Sequence, residues 1–443
     1  MGRRGRFVML VLALALCATQ GAAPARAQGR RGHRGKPPAI TGRKGRDTLS
    51  LDGAWTMAAD PDGHGKDRGW MLHPPPNAAP ASVPSAPSAA RGAPRIVWYF
   101  RSFGVPATWK GQTVRLVLGA VAQSSTVWLN GQLLGSSTEG AAPQSYYATK
   151  QIVPYNGGAS PDAPQANNLL AVRATGDALS GPGIWQDVTL VAHDEAYIAD
   201  CAVQAGIRGH VTAAITLQNT SDKSGDATLD AKVLSLPDRK PVVQTFQILA
   251  LAPGRNITTL LVTVPSGRLQ VWSPAHPTLY MLQLSFRQGT DVLDTLDTVF
   301  GCRDLDRGPG GGIVVDGSPV AGSTVAMHDF DAPTPVATAA EASVARTQLR
   351  VNQNNGVGVV YLEAPAPGML DLADELGMVV CEGPRHGLSP EAARSELLAL
   401  VARDRSHPSV AAWNLAPLGQ GAELASAIDA IRSLDPTRIR LTP

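Results

Sequence analysis

From residue 48 to about residue 303, apolar and polar positions alternate in short runs broken by turn residues. That is the rhythm of half-buried strands in an all-β region. The runs I-V-W-Y-F-R-S-F, T-V-R-L-V-L-G-A-V, S-T-V-W-L-N-G-Q-L-L-G and N-N-L-L-A-V-R-A carry it first. Asn130-Gly131 marks a two-residue hairpin, because both positions accept positive φ. Residues 49–57 read as one alternating strand around an Asp-Gly turn, and the Pro-, Ala- and Ser-rich stretch 71–95 as a long surface loop. From about residue 197, V-T-A-A-I-T-L-Q-N, A-T-L-D-A-K-V-L-S, T-T-L-L-V-T-V, Y-M-L-Q-L-S-F and D-T-L-D-T-V-F alternate as the strands of a second sandwich. Past residue 310 the period changes. After a small hairpin at I-V-V-D-G-S-P-V, strands are predicted at 325–328, 357–361, M-V-V-C, 410–415 and 439–441. An amphipathic stretch at 336–350 and helices at 368–376, 390–403 and 422–434 separate them. Strands alternating with helices make a parallel α/β structure.

The chain has 443 residues, enough for two to four domains at roughly 100–200 residues each. Its net charge of +3 is small, and much of the basic excess lies before residue 47, so the folded part has no nucleic-acid footprint. Residues 1–27 read as a secretory signal peptide: Arg3, Arg4 and Arg6, then an apolar core over 7–18, then Ala25-Arg26-Ala27 as the cleavage pattern. That core is too short to span a bilayer, and no later stretch is long and apolar enough. The expected location is secreted or periplasmic, with Gln28 as the mature start. Leu16 stands where a lipoprotein needs a small residue, which argues against lipidation at Cys17. Residues 28–47 read as a disordered basic linker. Cys201, Cys302 and Cys381 remain. An oxidising compartment permits a disulfide, and Cys201 and Cys302 bracket one domain, but three buried free thiols is the plainer reading. Their spacing gives no metal-site pattern, and no cofactor is expected.

Residues 403–415, R-D-R-S-H-P-S-V-A-A-W-N-L, read as a helix end, a turn at His407-Pro408-Ser409 and a buried strand. This resembles the segment that delivers the general acid/base in glycoside hydrolase family 2, the β-galactosidase and β-glucuronidase group. There the strand ends W-S-L-G-N-E; here Trp413, Asn414, Leu415, Ala416, Pro417 and Leu418 stand in those positions. Further motifs follow in the family's order. They are D-P-D-G at 60–63 before Trp70, "ATVWLNGxxVG" as 125–135, and "SGIYRDVxL" around Gly183-Ile184-Trp185-Gln186-Asp187-Val188. Trp272-Ser273-Pro274, Pro277-Thr278-Leu279-Tyr280 and Val299-Phe300-Gly301-Cys302-Arg303 resemble its second domain. D-L-A-D-E-L-G-M at 371–378, Glu382 with Pro384, and Asp435-Pro436-Thr437-Arg438 resemble its barrel. The resemblance implies a jelly-roll sugar-binding-like β-sandwich over 48–195, an immunoglobulin-like β-sandwich over 196–303, and a truncated (β/α)8 TIM-barrel-like domain over 304–443 that reaches about the fifth strand.

The family's reaction is retaining hydrolysis of terminal β-glycosides. It needs two carboxyl groups about 5–5.5 Å apart. Leu418 replaces the acid/base, and the nucleophile strand lies past residue 443, so the resemblance implies a non-catalytic glycan-binding or scaffold relative. One alternative is an active β-glycosidase using substitute carboxylates or a partner chain, with Glu382, Asp329, His328 and Glu363 as the groups expected at the barrel mouth. Another is a fragment of a split or frameshifted gene. Trp98, Trp128, Trp185 and Tyr146 are the aromatic candidates for carbohydrate contact, with core or domain-interface packing the plainer reading of most of them. The expected partner is a β-glycoside or oligosaccharide. A homo-oligomer or partner chain is expected over the open barrel edge. His407 precedes its strand, at the end away from the mouth, where it would shape a turn. Residues 308–312 read as a glycine-rich linker.

Overall fold

The computed structural model describes residues 45–85, 94–121, 123–138, 140, 143–153, 168–176, 181–326 and 339–443. The predicted signal peptide, Cys17 and most of the predicted linker lie outside the described residues. Two β-sandwiches lead into a parallel sheet. In the first, one sheet orders Asp47–Ser50, Val188–His193, Thr113–Leu118 and Gln144–Tyr147. The other orders Ala79–Val83, Gly53–Ala59, Ile96–Phe103, Asn168–Thr175, Ser124–Leu129 and Gln132–Ser137. Alternate residues such as Val114, Leu116 and Leu118 point inward against Val127, Leu129 and Val172 to make its core. Asn130 and Gly131 carry the predicted positive φ values of 53° and 77°.

Three expectations need correction here. The 49–57 segment is two strands in two different sheets; Asp52 turns away to accept the backbone N–H of Val188 at 2.8 Å. The supposed loop contains the strand Ala79–Val83, paired with Gly53–Ala59. It is an edge strand, where Pro80 and Pro-rich flanks are tolerated, so composition hid it. Arg46 and Asp47, assigned to the linker, are held in place. Arg46 donates to both oxygens of buried Asp294 (3.1 and 2.8 Å) and to the Ile198 carbonyl, and Asp47 accepts from Trp109 Nε1 at 2.9 Å.

The second sandwich packs a three-stranded sheet (Ala196–Ala205, His210–Asn219, Gly254–Thr263) on a four-stranded one (Lys240–Leu251, Gly225–Ser235, Tyr280–Gln288, Asp291–Phe300). Val203, Val211, Ile215, Leu229, Leu282 and Phe286 fill the space between them. Cys201, Cys302 and Cys381 are free thiols. Ile313–Val315 and Ser318–Pro319 form the expected small hairpin, with Asp316 and Gly317 at φ 52° and 77°.

The last region is a parallel sheet of β1 (Ser323–Ala326), β2 (Val357–Glu363), β3 (Val379–Gly383), β4 (Val410–Asn414) and β5 (Ile439–Leu441), in that order. Helices α1 (Ala339–Asn354), α2 (Pro367–Leu376), α3 (Pro390–Asp404) and α4 (Ala422–Leu434) separate the strands. Pro367 and Pro390 start their helices where a missing N–H costs nothing, and Gly377 ends α2 at φ 72°. Ser389 caps α3 by accepting the N–H of Ala392. Val360, Leu362, Val380 and Trp413 face the helices, with Leu370, Leu397, Val401 and Ile431 packed against them. Val359, Val379 and Ala411 face the other way, against Trp272 and Leu279 of the second sandwich and Val315. Among the described residues no helix is long and apolar enough to cross a membrane.

Candidate functional site

The C-terminal ends of β2, β3 and β4 bring together a group of polar side chains at one edge of the parallel sheet, its mouth. In-register neighbours on parallel strands share a face, and successive residues alternate faces. Leu362 pairs with Glu382, and Glu382 with Trp413; Glu363 pairs with Gly383. Glu382 therefore stands in the row of Leu362 and Trp413, facing the helices, and Glu363 stands on the opposite face.

Glu363 forms an ion pair with His386 Nδ1, and its Oε2 accepts the backbone N–H of His386 at 3.1 Å. The His386 ring meets Tyr361 edge-on at 6.5 Å. Asn414 Nδ2 donates to the Tyr361 hydroxyl at 2.8 Å, while Asn414 Oδ1 accepts the N–H of Ala416 at 3.1 Å. Gly383 makes that contact possible: a Cβ there would lie 2.8 Å from the Tyr361 oxygen and 3.0 Å from the Asn414 Cβ. Burial, reinforced by the Glu363 carboxylate, pushes the Tyr361 phenol up, so it stays a neutral hydroxyl. Beside this group Arg385 grips Glu396 through three hydrogen bonds of 2.8–3.0 Å. Its Nη2 would lie 2.9 Å from a Cβ on Gly140, so the first sandwich reaches the same loop. Sequence reading named Glu363 but missed His386, Tyr361 and Asn414. Tyr361 and Asn414 stand near the ends of predicted strands, whereas His386 lies in the loop beyond M-V-V-C, where nothing in the sequence signalled it.

Glu382 is a correction. It is fully buried, and neither carboxyl oxygen has a hydrogen-bond partner among the described residues unless the group itself carries a proton. Burial first, then the adjacent Asp404 carboxylate, raise its pKa well above the usual range. Arg403 does not offset this. It donates to both Asp404 oxygens at 2.7 and 2.6 Å, while its nearest approach to Glu382 is 3.9 Å. Glu382 thus lies in the helix–sheet layer, away from the mouth, where burial favours its protonated form. His328 and Asp329 lie outside the described residues.

Leu418 closes the turn Ala416–Leu418 that follows β4. It is 1% exposed and packs among the apolar residues of the helix–sheet core. An apolar side chain there is a plug, and it has no proton to give.

Of the four aromatic candidates, the three tryptophans are covered. Trp98 and Trp128 stack at 4.9 Å on the face of the six-stranded sheet opposite the sandwich core, packed with Trp70 and Phe100, and Trp98 Nε1 donates to buried Asp60 at 2.9 Å. Trp185 is completely buried against Ala120, Ala364 and Leu400, where the first sandwich meets the parallel sheet. Their ring faces are closed to a sugar. Tyr146 keeps partial exposure, with its ring over Gly135 and its hydroxyl donating to Gln144 at 3.1 Å.

At the opposite end of the sheet His407 does more than shape a turn. Its Nδ1 lies 2.6 Å from Asp374, which also accepts the N–H of Ser409 at 2.8 Å. Burial opposes its charge, but Asp374 and then Asp404 and Asp371 prevail and raise its pKa to about 9. Asp371, Asp374 and His407 bring ligand-type atoms within 4.8 Å of one another, a grouping that sequence spacing did not reveal. A protonated imidazole is a poor metal ligand, so the arrangement is better described as a buried ion pair. Asp435 works similarly: burial disfavours its charge, but Arg438, Thr437 and the Trp413 indole hold it below the usual range.

Comparison with known proteins agrees with this architecture. The family model described as Glycosyl hydrolases family 2 matches residues 196–303. A β-glucuronidase of Paenibacillus borealis is 26% identical, covering 90% of this chain and 72% of its own. The β-galactosidase BoGH2A of Bacteroides ovatus is 25% identical, covering 72% of this chain and 39% of its own. A solved β-glucuronidase from glycoside hydrolase family 2 superposes with TM-score 0.74 at 18% identity, covering 90% of this chain and 46% of that one. A solved family 2 member from Bacteroides cellulosilyticus gives 0.73 at 19%, covering 89% and 57%. The chain thus spans about half the length of these solved relatives.

Proposed function

We propose that this chain is a member of glycoside hydrolase family 2, on the match of residues 196–303 to that family's model and its likeness to family 2 glycosidases, and that it binds a β-glycoside at the mouth of its parallel sheet and does not hydrolyse it. The first sandwich acts as the jelly-roll wall of that site and the second, immunoglobulin-like sandwich as its support. The observation that carries this reading is the burial of Leu418 in the core, at the position the family gives to its acid/base. Retaining hydrolysis needs two carboxyl groups flanking one anomeric carbon. Glu363 and Glu382 lie on opposite faces of the sheet and cannot flank it.

Tyr361, Glu363, His386 and Asn414 are the groups left to recognise a ligand. A carboxylate, an imidazole, a phenol and an amide are suited to sugar hydroxyls, each of which both donates and accepts. The relatives named above are β-glucuronidases and β-galactosidases, so a β-linked pyranoside is the ligand class. The signal-like residues 1–27 would export the protein to meet extracytoplasmic glycan.

Calorimetric titration with methyl β-galactoside and methyl β-glucuronide tests the site. Saturable binding to one of them is expected. Glu363→Gln should weaken it about tenfold or more, the worth of one hydrogen bond to a charged group. Unchanged affinity in Glu363→Gln would remove the ligand from this mouth.

A further inference from the structure

A cleft of about 510 Å³ opens on the far side of the parallel sheet from the mouth. One wall is the outer face of the three-stranded sheet of the second sandwich, where Gln204 and Thr212 are in-register neighbours and His210 lies two residues from Thr212. The other wall is the pair of turns entering β4 and β5, with Ser406 and Thr437. Arg303 forms its floor.

Arg303 is an unusual cation. It is nine-tenths buried and has no ion pair among the described residues. Its Nε donates to the Pro408 carbonyl, and its Nη2 to that of Val410 at 2.6 Å. Nη1 has no partner and is not sealed off, so it faces the cleft that the side chain lines. A buried guanidinium commonly has a carboxylate opposite it, because unpaired charge in a low-dielectric setting is costly. The neighbouring Arg438 cannot help: it spends its own charge on Asp435, and its cationic field adds to the burial that pulls Arg303 down to about 9. Asp304 and Asp306 also line the cleft but form no ion pair with Arg303.

The walls have unspent hydrogen-bonding capacity. The side chains of Gln204, His210 and Thr212 have no partner among the described residues. Ser406 Oγ accepts the N–H of Val203 at 3.0 Å, which leaves its own hydrogen to donate. A cation with one open donor edge, ringed by uncommitted hydroxyl, amide and imidazole groups, is a complementary surface for an oxyanion.

The geometry points to a second ligand site in this cleft, for a small oxyanion held by Arg303 Nη1 with Gln204, His210, Thr212 and Ser406. It is separate from the sugar mouth and does not depend on that reading. The anionic group is either an inorganic oxyanion or the carboxylate of an acidic sugar, and the volume accommodates both.

The test is titration of the full chain with sodium sulfate, sodium phosphate and sodium glucuronate at constant ionic strength, with chloride as the reference salt. Heat and melting temperature are both followed. Saturable binding of at least one of the three is expected. Binding of sulfate or phosphate alone assigns an inorganic oxyanion, and glucuronate binding that Gln204→Glu and His210→Glu both weaken assigns a carboxylated sugar. Gln204→Glu and His210→Glu each place a carboxylate opposite Arg303 without removing a core residue. Both should raise the melting temperature and weaken the anion at least tenfold. No saturable response to any of the three anions overturns the proposal, as does undiminished affinity in both carboxylate variants.

Discussion

Glu382 shows how far one buried group can set a pH response. Its folded pKa lies well above its unfolded value, so its contribution is fully present below about pH 4.5 and is lost as pH rises toward the folded value. Within that window the loss is about 1.4 kcal/mol per pH unit. Glu382→Gln keeps a donor toward Asp404 without the ionisation, so its melting temperature should rise relative to wild type between pH 5 and 8. A constant difference across that range would show that Glu382 is not the neutral group described here. His407 has the same sign for a different reason. Its folded pKa of about 9 exceeds the ordinary 6.5, so its ion pair contributes fully below pH 6.5 and is lost as pH rises through 9. Asp374→Ala strands that imidazolium and orphans the N–H of Ser409. Chemical denaturation should register a loss of about 3–5 kcal/mol at pH 6. Neither role was legible in the chain. Val379 to Gly383 is V-V-C-E-G, without alternation, so nothing in it says which face Glu382 takes. Asp374 and His407 are 33 positions apart. The tryptophans were offered as contacts for a related reason: composition offers an aromatic ring but does not say whether the ring is covered.

At the level of elements the sequence was more informative. Helix α4 and strand β5 begin and end where periodicity put them, and α2, α3 and β4 agree to within one residue at each end. These segments are bounded by Pro, Gly or capping residues, which act locally and are readable locally. Ala79–Val83 escaped because an edge strand is defined by its partner, and its own composition is that of a loop. The turn after β4 carries the sharpest prediction at this scale. Leu418→Glu installs the carboxylate that the resemblance calls for in name only, because the position faces the core between the strands, α3 and α4. The variant should lose roughly 3–5 kcal/mol of stability and gain no nitrophenyl β-glycoside turnover. A stable, active Leu418→Glu protein would show that this turn can present its side chain to the mouth.

Across the whole molecule, the sandwiches hold the site through a few large side chains and one arginine. Trp272 reaches from the second sandwich to donate to the Asp374 carbonyl at 2.9 Å, and Arg303 ties the exit of that sandwich to the start of β4. Trp185 joins the first sandwich to Ala364, the residue after Glu363, and to Leu400 of α3. Trp185→Ala should cost about 3–5 kcal/mol. It should also speed amide exchange in the loop after β2 more than in the sandwich core, if this tryptophan braces the mouth. The order of the layers was legible from the change of hydrophobic period near residue 310. The contacts between layers were not, since they depend on which motif residues face a neighbour.

The central claim is recognition of a sugar without hydrolysis, and one incubation addresses it. Wild-type protein is mixed with nitrophenyl β-galactoside or nitrophenyl β-glucuronide, and bound ligand and free nitrophenol are followed together. Saturable occupancy with no nitrophenol above the protein-free rate is the predicted result. Release of nitrophenol in proportion to protein, abolished by Glu363→Gln, would contradict it.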